Sequence, residues 1–239
     1  MNREARMPSP TIGILAGMGP RSTAPFIDLI VNECQAQYGA RHDIDFPKML
    51  ICSQPTPFYD DRPVDHTALE AAICDGLQYL EKAGVDFLAI ACNTAHISYP
   101  RLAESVAVRL LNMVDLTLEA IPLSTQKLAL IAARPTAESR IFQKAIHRSG
   151  YKLIDLEWQN EVDRLLAATR MSTDPQVFAH HWSKLTTRAG DAGVDTLIVA
   201  CLDLSSVVRH ANTGLHIVDG AQCLAQGIVA EWLARRVED

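Results

Sequence analysis

The stretch AGVDFLAIACNTAH at Ala83–His96 returns as AGVDTLIVACLDLS at Ala192–Ser205. Seven of the first ten residues agree, and both copies reach a cysteine, Cys92 and Cys201, at a constant offset of 109 residues. The apolar run after each AGVD is too short for a helix and reads as a strand buried on both faces. A chain that writes one strand twice at this distance is built from two copies of one unit.

The rest of the sequence fits that division. Short apolar runs predict strands at Thr11–Ala16, Pro47–Cys52, Asp86–Ala91, Lys127–Ala132, Tyr151–Asp155 and Asp195–Ala200. Helical spacing fills the gaps. Ile27, Ile30, Val31, Cys34 and Tyr38 mark one helix; Leu69, Ile73, Gly76, Leu77 and Leu80 mark a second, with Thr67 and Glu70 as a capping box and Gly84 as its stop. His96–Leu111 reads as a single helix, RPTAES opens another with Ile141, Phe142, Ala145 and Ile146 inward, and Phe178, Trp182, Leu185 and Ala189 mark one more. LNMVDLTLEAI and LHIVDGAQCLA echo each other after the two cysteine segments. Strands alternating with helices predict an α/β fold of two similar three-layer parallel-sheet domains related by a pseudo-twofold axis.

Ligands of such sheets sit beyond the carboxyl ends of the strands. Cys92 and Cys201 leave their strands there, so two facing units would bring them to opposite walls of one cleft. Inherited packing is the plain alternative, since Ala-Cys pairs are common in buried strands. Asn93 and Thr94 argue against it, because polar groups stand where apolar ones would pack. Free N–H groups at a helix start bind a carboxylate, and the same partial charge is expected to lower a thiol from its free pKa of about 8.5. Opposed thiols suit inversion of a carbon bearing hydrogen, with a thiolate removing the proton from one face and a thiol returning one to the other.

Composition narrows the classes. A net charge of −6 argues against nucleic-acid binding, and no run reaches the roughly 18 apolar residues of a membrane span. The N-terminal MNREARMPSP reads as an untidy tail of a cytoplasmic protein. The six cysteines show neither C-x-x-C nor Cys/His spacing, so no metal site is expected. GMGPRST is a tight turn lining the cleft, with Met18 in it, rather than a full phosphate loop. His96 is read as an orienting or packing group, His180-His181 as surface residues, and Trp182 and Trp232 as core.

IGILAGMGPRST, IACNTAH, KLALIAARPTAES and VACLDLS together resemble the aspartate/glutamate racemase superfamily over nearly the whole chain, most closely its aspartate racemase branch. The resemblance implies a cofactor-independent racemase for aspartate or glutamate, with Cys92 and Cys201 catalytic. It also implies that Asn93, Thr94, Thr136, Met18 and, in YDDRP, Arg62 bind substrate. It further implies a homodimer and domains of residues 1–113 plus 216–239 and of residues 114–215, the C-terminal strand and helix returning to the first. The second signature in that family reads Cys-Thr-acidic, whereas Leu202 stands here between Cys201 and Asp203. That departure leaves a related cysteine isomerase of maleate or hydantoin type, or a ligand-binding paralogue, as alternatives. No residue securely matches the cation for a side-chain carboxylate; Arg170 is the first candidate and Arg164 the second.

Overall fold

The computed structural model describes residues 9–59, 62–172, 174–210 and 213–238. The expected N-terminal tail, and Asp60 and Asp61 of YDDRP, fall outside them.

The described residues form two four-stranded parallel sheets, each within its own compact unit. The first unit takes residues up to Ala91, Ser98–Leu111, and the chain from Ala225 on; the second takes Cys92–Ile97 and Asn112–Leu224. The first unit runs β1 (Thr11–Ala16), α1 (Thr23–Tyr38), β2 (Lys48–Ser53), α2 (His66–Lys82), β3 (Phe87–Ile90), α3 (Tyr99–Glu104) and β4 (Arg109–Leu110), in the sheet order β2-β1-β3-β4. The second contains α4 (Met113–Glu119), β5 (Lys127–Ala132), α5 (Arg134–Ser139), α6 (Ile141–Arg148), β6 (Lys152–Leu153), α7 (Gln159–Met171), α8 (Pro175–Asp191), β7 (Thr196–Ala200), α9 (Ser205–His210) and β8 (His216–Asp219). Its sheet order is β6-β5-β7-β8. A final helix, α10, spans Gly220–Glu238.

The two orders are equivalent, and the repeated segment has the same task in each. Its alanines, Ala83 and Ala192, cap the C-termini of α2 and α8. Gly84 and Gly193 then turn the chain at φ +84° and +72°, a conformation that side chains with a Cβ resist. Val85 and Val194 are buried at the strand entrance. Asp86 and Asp195 tie that entrance to the neighbouring strand: Thr11 N–H donates to Asp86 Oδ2 at 2.5 Å, and the N–H groups of Gln126 and Lys127 donate to Asp195 Oδ2 at 3.0 Å each. Burial pushes the Asp195 carboxyl up, but the donated hydrogen bonds outweigh it and hold the pKa below its ordinary value. Asp195→Ala is therefore expected to cost about 1–3 kcal/mol in denaturant unfolding at neutral pH, and the difference from wild type shrinks as acid protonates the native carboxyl.

β1, β3 and β7 are buried throughout, while β2 is an exposed edge. The second unit's core gathers Leu165, Trp182, Leu185, Leu197, Val199 and Leu204 on one side, and Phe142, Ile146, Leu128 and Ile198 on the other. Trp232 is buried in the first unit, with its Nε1–H on the Pro10 carbonyl at 3.0 Å.

Several expected elements differ. Asp65, not Thr67, caps α2, its carboxylate accepting Ala68 N–H at 3.0 Å. The expected helix His96–Leu111 is divided into a 3₁₀ turn (Thr94–Ser98), α3 and β4. Pro100 stands in the first turn of α3, where its missing N–H is tolerated, and cannot join a helical ladder running in from Thr94. The inward face of α1 is Phe26, Leu29, Ile30, Glu33 and Cys34, rotated by about one residue from the expected stripe. The strand His216–Asp219, expected in the first domain, pairs with β7 from Thr196↔His216 to Val199↔Asp219. It covers the edge that β4 covers on β3, and only the later part of α10 belongs to the first unit. Val114 lies in a helix and Val218 in a strand, so the LNMVD/LHIVD echo does not mark equivalent positions.

Candidate active site

Cys92 follows β3 and Cys201 follows β7, so both thiols stand at the carboxyl ends of equivalent strands. Cys92 nevertheless groups with the second unit, together with Asn93, Thr94, Thr136 and Cys201. These five are the candidates that the fold brings into one body. Met18 and Arg62 belong to the first unit. Met18 is half-buried in the turn after β1, where Gly17 has φ +96° and a Cβ would lie 2.7 Å from the Gln54 nitrogen. Arg62 is exposed and stacks on the Tyr59 ring, 4.4 Å from its centroid.

The Cys92 turn is held rigidly. Thr94 and Ala95 donate backbone N–H groups to the sulfur. His96, 3% exposed, places Nδ1 2.8 Å from the Cys92 carbonyl, while its Nε2 lies 3.1 Å from Met113 N–H. Because Nε2 accepts there, the neutral ring must carry its proton on Nδ1 and donate to Cys92 O. His96 thus pins the turn to the start of α4, as the orienting role requires. Thr94 and Thr136 are buried, with their hydroxyls 2.9 Å apart. Thr136 sits on α5, whose Pro135 favours the first helical turn.

Asn93 is the least expected feature. It is 3% exposed, and neither Oδ1 nor Nδ2 has a hydrogen-bond partner among the described residues. A buried amide left unpaired costs on the order of 1–3 kcal/mol, so this side chain is out of place as packing. Gly220, which the sequence reading did not single out, permits the arrangement. A Cβ there would approach Asn93 Oδ1 to 3.4 Å and Thr117 Oγ1 to 3.3 Å. Just before it, Asp219 accepts from Ser205 Oγ at 2.9 Å and from Ala221 N–H at 3.0 Å, fixing the start of α10.

The thiol electrostatics reverse one expectation. Burial pushes Cys92 up to about 11, against the opposing hydrogen bonds from Ala95 and Thr94. Cys201 is driven further up, first by burial, then by the Asp203 carboxylate, with a smaller upward contribution from Cys92. Lost solvation therefore outweighs the helix-start effect expected to lower a thiol.

The sign of the pH dependence follows. For a reaction in which a thiolate is the base, the reactive form becomes more abundant as pH rises, so kcat/KM is expected to climb from pH about 7 to about 10, without levelling near the ordinary thiol value of about 8.5. Stability moves the other way: it is intact below the unfolded thiol pKa and is lost as pH rises from about 9 through the raised native values. Thermal melts of wild type and Cys92→Ser across that range check it, since the variant loses part of the slope.

Arg170, at the end of α7, pairs with Asp203, Nε to Oδ2 at 3.5 Å. Arg164 is exposed on the same helix. Leu202 is 8% exposed in a 3₁₀ turn, Leu202–Leu204, that directly follows Cys201. Asp203 donates its backbone N–H to the Cys201 sulfur. Among the described residues no His/Cys/Asp/Glu cluster is arranged to hold a metal ion, and no helix is long and apolar enough to cross a membrane.

Comparison with known proteins agrees with this geometry. Residues 15–228 match the family model described as Asp/Glu/Hydantoin racemase. The chain is 42% identical over 224 residues to the broad specificity amino-acid racemase RacX of Bacillus subtilis (strain 168), covering 93% of this chain and 98% of that one. Among solved structures, the fold resembles the aspartate racemase of Picrophilus torridus, with a TM-score of 0.75 at 21% identity over 93% of this chain and 94% of that one. An aspartate racemase homologue from Pyrococcus horikoshii gives a TM-score of 0.76 at 17% identity, over 93% and 99%. With two equivalent parallel sheets, a thiol at the end of each matching strand and a family match across most of its length, this chain belongs to the Asp/Glu/hydantoin racemase family.

Proposed function

We propose that this racemase inverts the α-carbon of free amino acids by two-base proton transfer between Cys92 and Cys201. The observation that carries the reading is the pair of thiols, each at the end of its copy of the repeated strand and both within the same compact unit. One sulfur, as thiolate, forms an S–H bond with the α-hydrogen, and the electron pair of the broken C–H bond spreads into the substrate carboxylate. The other thiol then delivers its proton to the opposite face. The thiols exchange roles for the opposite enantiomer, and both proton-transfer groups come from the protein, so the step as written calls for no cofactor.

Asn93, Thr94 and Thr136 are assigned to the substrate's carboxylate and amino groups, where hydrogen bonds stabilise the charge that develops on the carboxylate. The unpartnered amide of Asn93 supports this assignment. Met18 and Arg62 are assigned to substrate contact, as the resemblance implies. The two-domain division expected from the resemblance remains part of this reading, with β8 in the second sheet and Cys92–Ile97 grouped with the second unit. Six free cysteines accord with a reducing, cytoplasmic location. Exposed Ile44, Ile51 and Tyr79 accord with a homodimer, which light scattering tests.

Aspartate or glutamate is the substrate that the resemblance implies, whereas the relative at 42% identity is named for broad specificity. The test is incubation in heavy water with L- and D-amino acids bearing acidic, uncharged and basic side chains. Deuterium entering the α position of at least one of them is the expected result. A panel that keeps its α-protium throughout would contradict the proposal.

A further inference from the structure

We infer that His96 and Ser205 are paired positioning residues, each clamping the turn of one thiol so that its sulfur stays in place for proton transfer. This rests on the two-thiol racemase reading above and assigns one supporting residue to each half of that reaction.

Each is the fourth residue after its thiol, and the two stand 109 residues apart, the offset of the repeated segment itself. They differ in chemistry yet are buried alike. His96 joins the Cys92 carbonyl, 2.8 Å from Nδ1, to the Met113 N–H, 3.1 Å from Nε2. Met113 is the first residue of α4, the helix after β4. Ser205 Oγ donates to Asp219 Oδ1 at 2.9 Å. The same oxygen accepts Ala221 N–H at 3.0 Å in the first turn of α10, the helix after β8. Because β4 pairs with β3 and β8 with β7, both clamps run from a thiol turn to the helix that follows the neighbouring strand. An imidazole spans the gap alone. A serine is shorter, and Asp219 supplies the rest.

The sulfurs depend on these turns. Thr94 and Ala95 donate backbone N–H groups to Cys92, and Asp203 donates its own to Cys201. The Cys201 carbonyl accepts Leu204 N–H at 3.1 Å within a 3₁₀ turn that Ser205 caps. A tilt of either turn therefore carries its sulfur and the donors to that sulfur together. A misplacement of about 1 Å in a reacting group costs on the order of a hundredfold in rate. A buried side chain bonded to separate elements resists such a tilt, because water does not replace the bonds that the tilt would break. Each clamp acts on one thiol, and each thiol serves one face of the α-carbon. Loosening one clamp should therefore injure one direction of proton abstraction and spare the other.

Initial rates of α-deuterium exchange and of inversion in heavy water decide the matter. Both enantiomers of aspartate, glutamate, methionine and lysine are supplied, and variants are compared on the pair that wild type turns over fastest. The enantiomer that Cys92→Ser exchanges more slowly is the one served by Cys92. His96→Ala is expected to slow exchange of that enantiomer at least about tenfold more than exchange of its mirror image, and Ser205→Ala to show the opposite preference. In both variants kcat falls while KM changes by less than about threefold. His96→Asn can place an amide N–H near the position of Nδ1 and is expected to recover part of the exchange lost in His96→Ala. Should an alanine variant fail to fold, two milder variants decide. His96→Gln keeps an acceptor for Met113 N–H but releases the Cys92 carbonyl, and Asp219→Asn weakens the acceptor for Ser205; each is expected to show the preference of its own clamp. Equal losses for the two enantiomers, or one preference shared by both clamps, would overturn the inference while leaving the racemase reading intact. So would an unchanged kcat in either alanine variant. Wild-type enzyme that exchanges none of these amino acids would refute both readings together.

Discussion

Cys92→Ser and Cys201→Ser are each expected to lower racemisation by at least about a thousandfold without loss of the fold. The thiol is the group that moves the proton, and a serine hydroxyl in the same place is far too weak an acid and base to replace it at neutral pH. Catalytic groups that act as a unit lose nearly all activity when either is removed, so the double variant should be scarcely worse than either single one. The two single variants also differ in a way that general damage would not produce. Each retains one competent thiol, so each should still exchange the α-hydrogen of one enantiomer faster than that of the other, with opposite preferences. Chiral chromatography with mass detection separates these outcomes. Normal racemisation in either variant would contradict the two-base account.

Asn93→Ala is expected to reduce kcat/KM by about a hundredfold while leaving the melting temperature unchanged or raised. The amide is 3% exposed and unpartnered, so the free protein bears its desolvation without return. Removing it relieves that burden, set against the small cavity left behind. Substrate turnover loses a donor and acceptor beside the reacting carboxylate, and the loss should fall on both kcat and KM. A structural residue would show the reverse, with stability lost and the kinetics of the surviving enzyme intact. Parallel calorimetry and steady-state kinetics distinguish the two.

Much of this was legible in the sequence because the repeated segment encodes its own geometry. AGVD writes a helix end, a left-handed turn, a buried plug and a strand clamp in four residues, and the apolar run behind it needs two strand neighbours. The thiols, Asn93 and Thr94 could be picked out because polar groups at the end of a buried strand have little packing value, whereas Thr136 came only from the family resemblance. What the sequence could not show depends on contacts between distant segments. Pairing of β8 with β7 is decided by which sheet edge lies open. The division of residues 94–111 follows from Pro100, whose presence was visible but whose effect depends on where the helix starts. The direction of the thiol shifts reverses because burial depth is a property of the whole fold. The Arg170–Asp203 pair joins residues 33 positions apart on different elements, and no local pattern announces it.

The origin of the proton in the first turnovers tests the central claim most directly. Wild-type enzyme is given one protiated enantiomer in heavy water, and both enantiomers are analysed at low conversion. Two thiols on opposite faces require that the product carry solvent deuterium at the α-carbon while the remaining substrate is still protiated. Product that retains the original α-protium would mean that a single group removes and returns the same hydrogen, and would contradict the account.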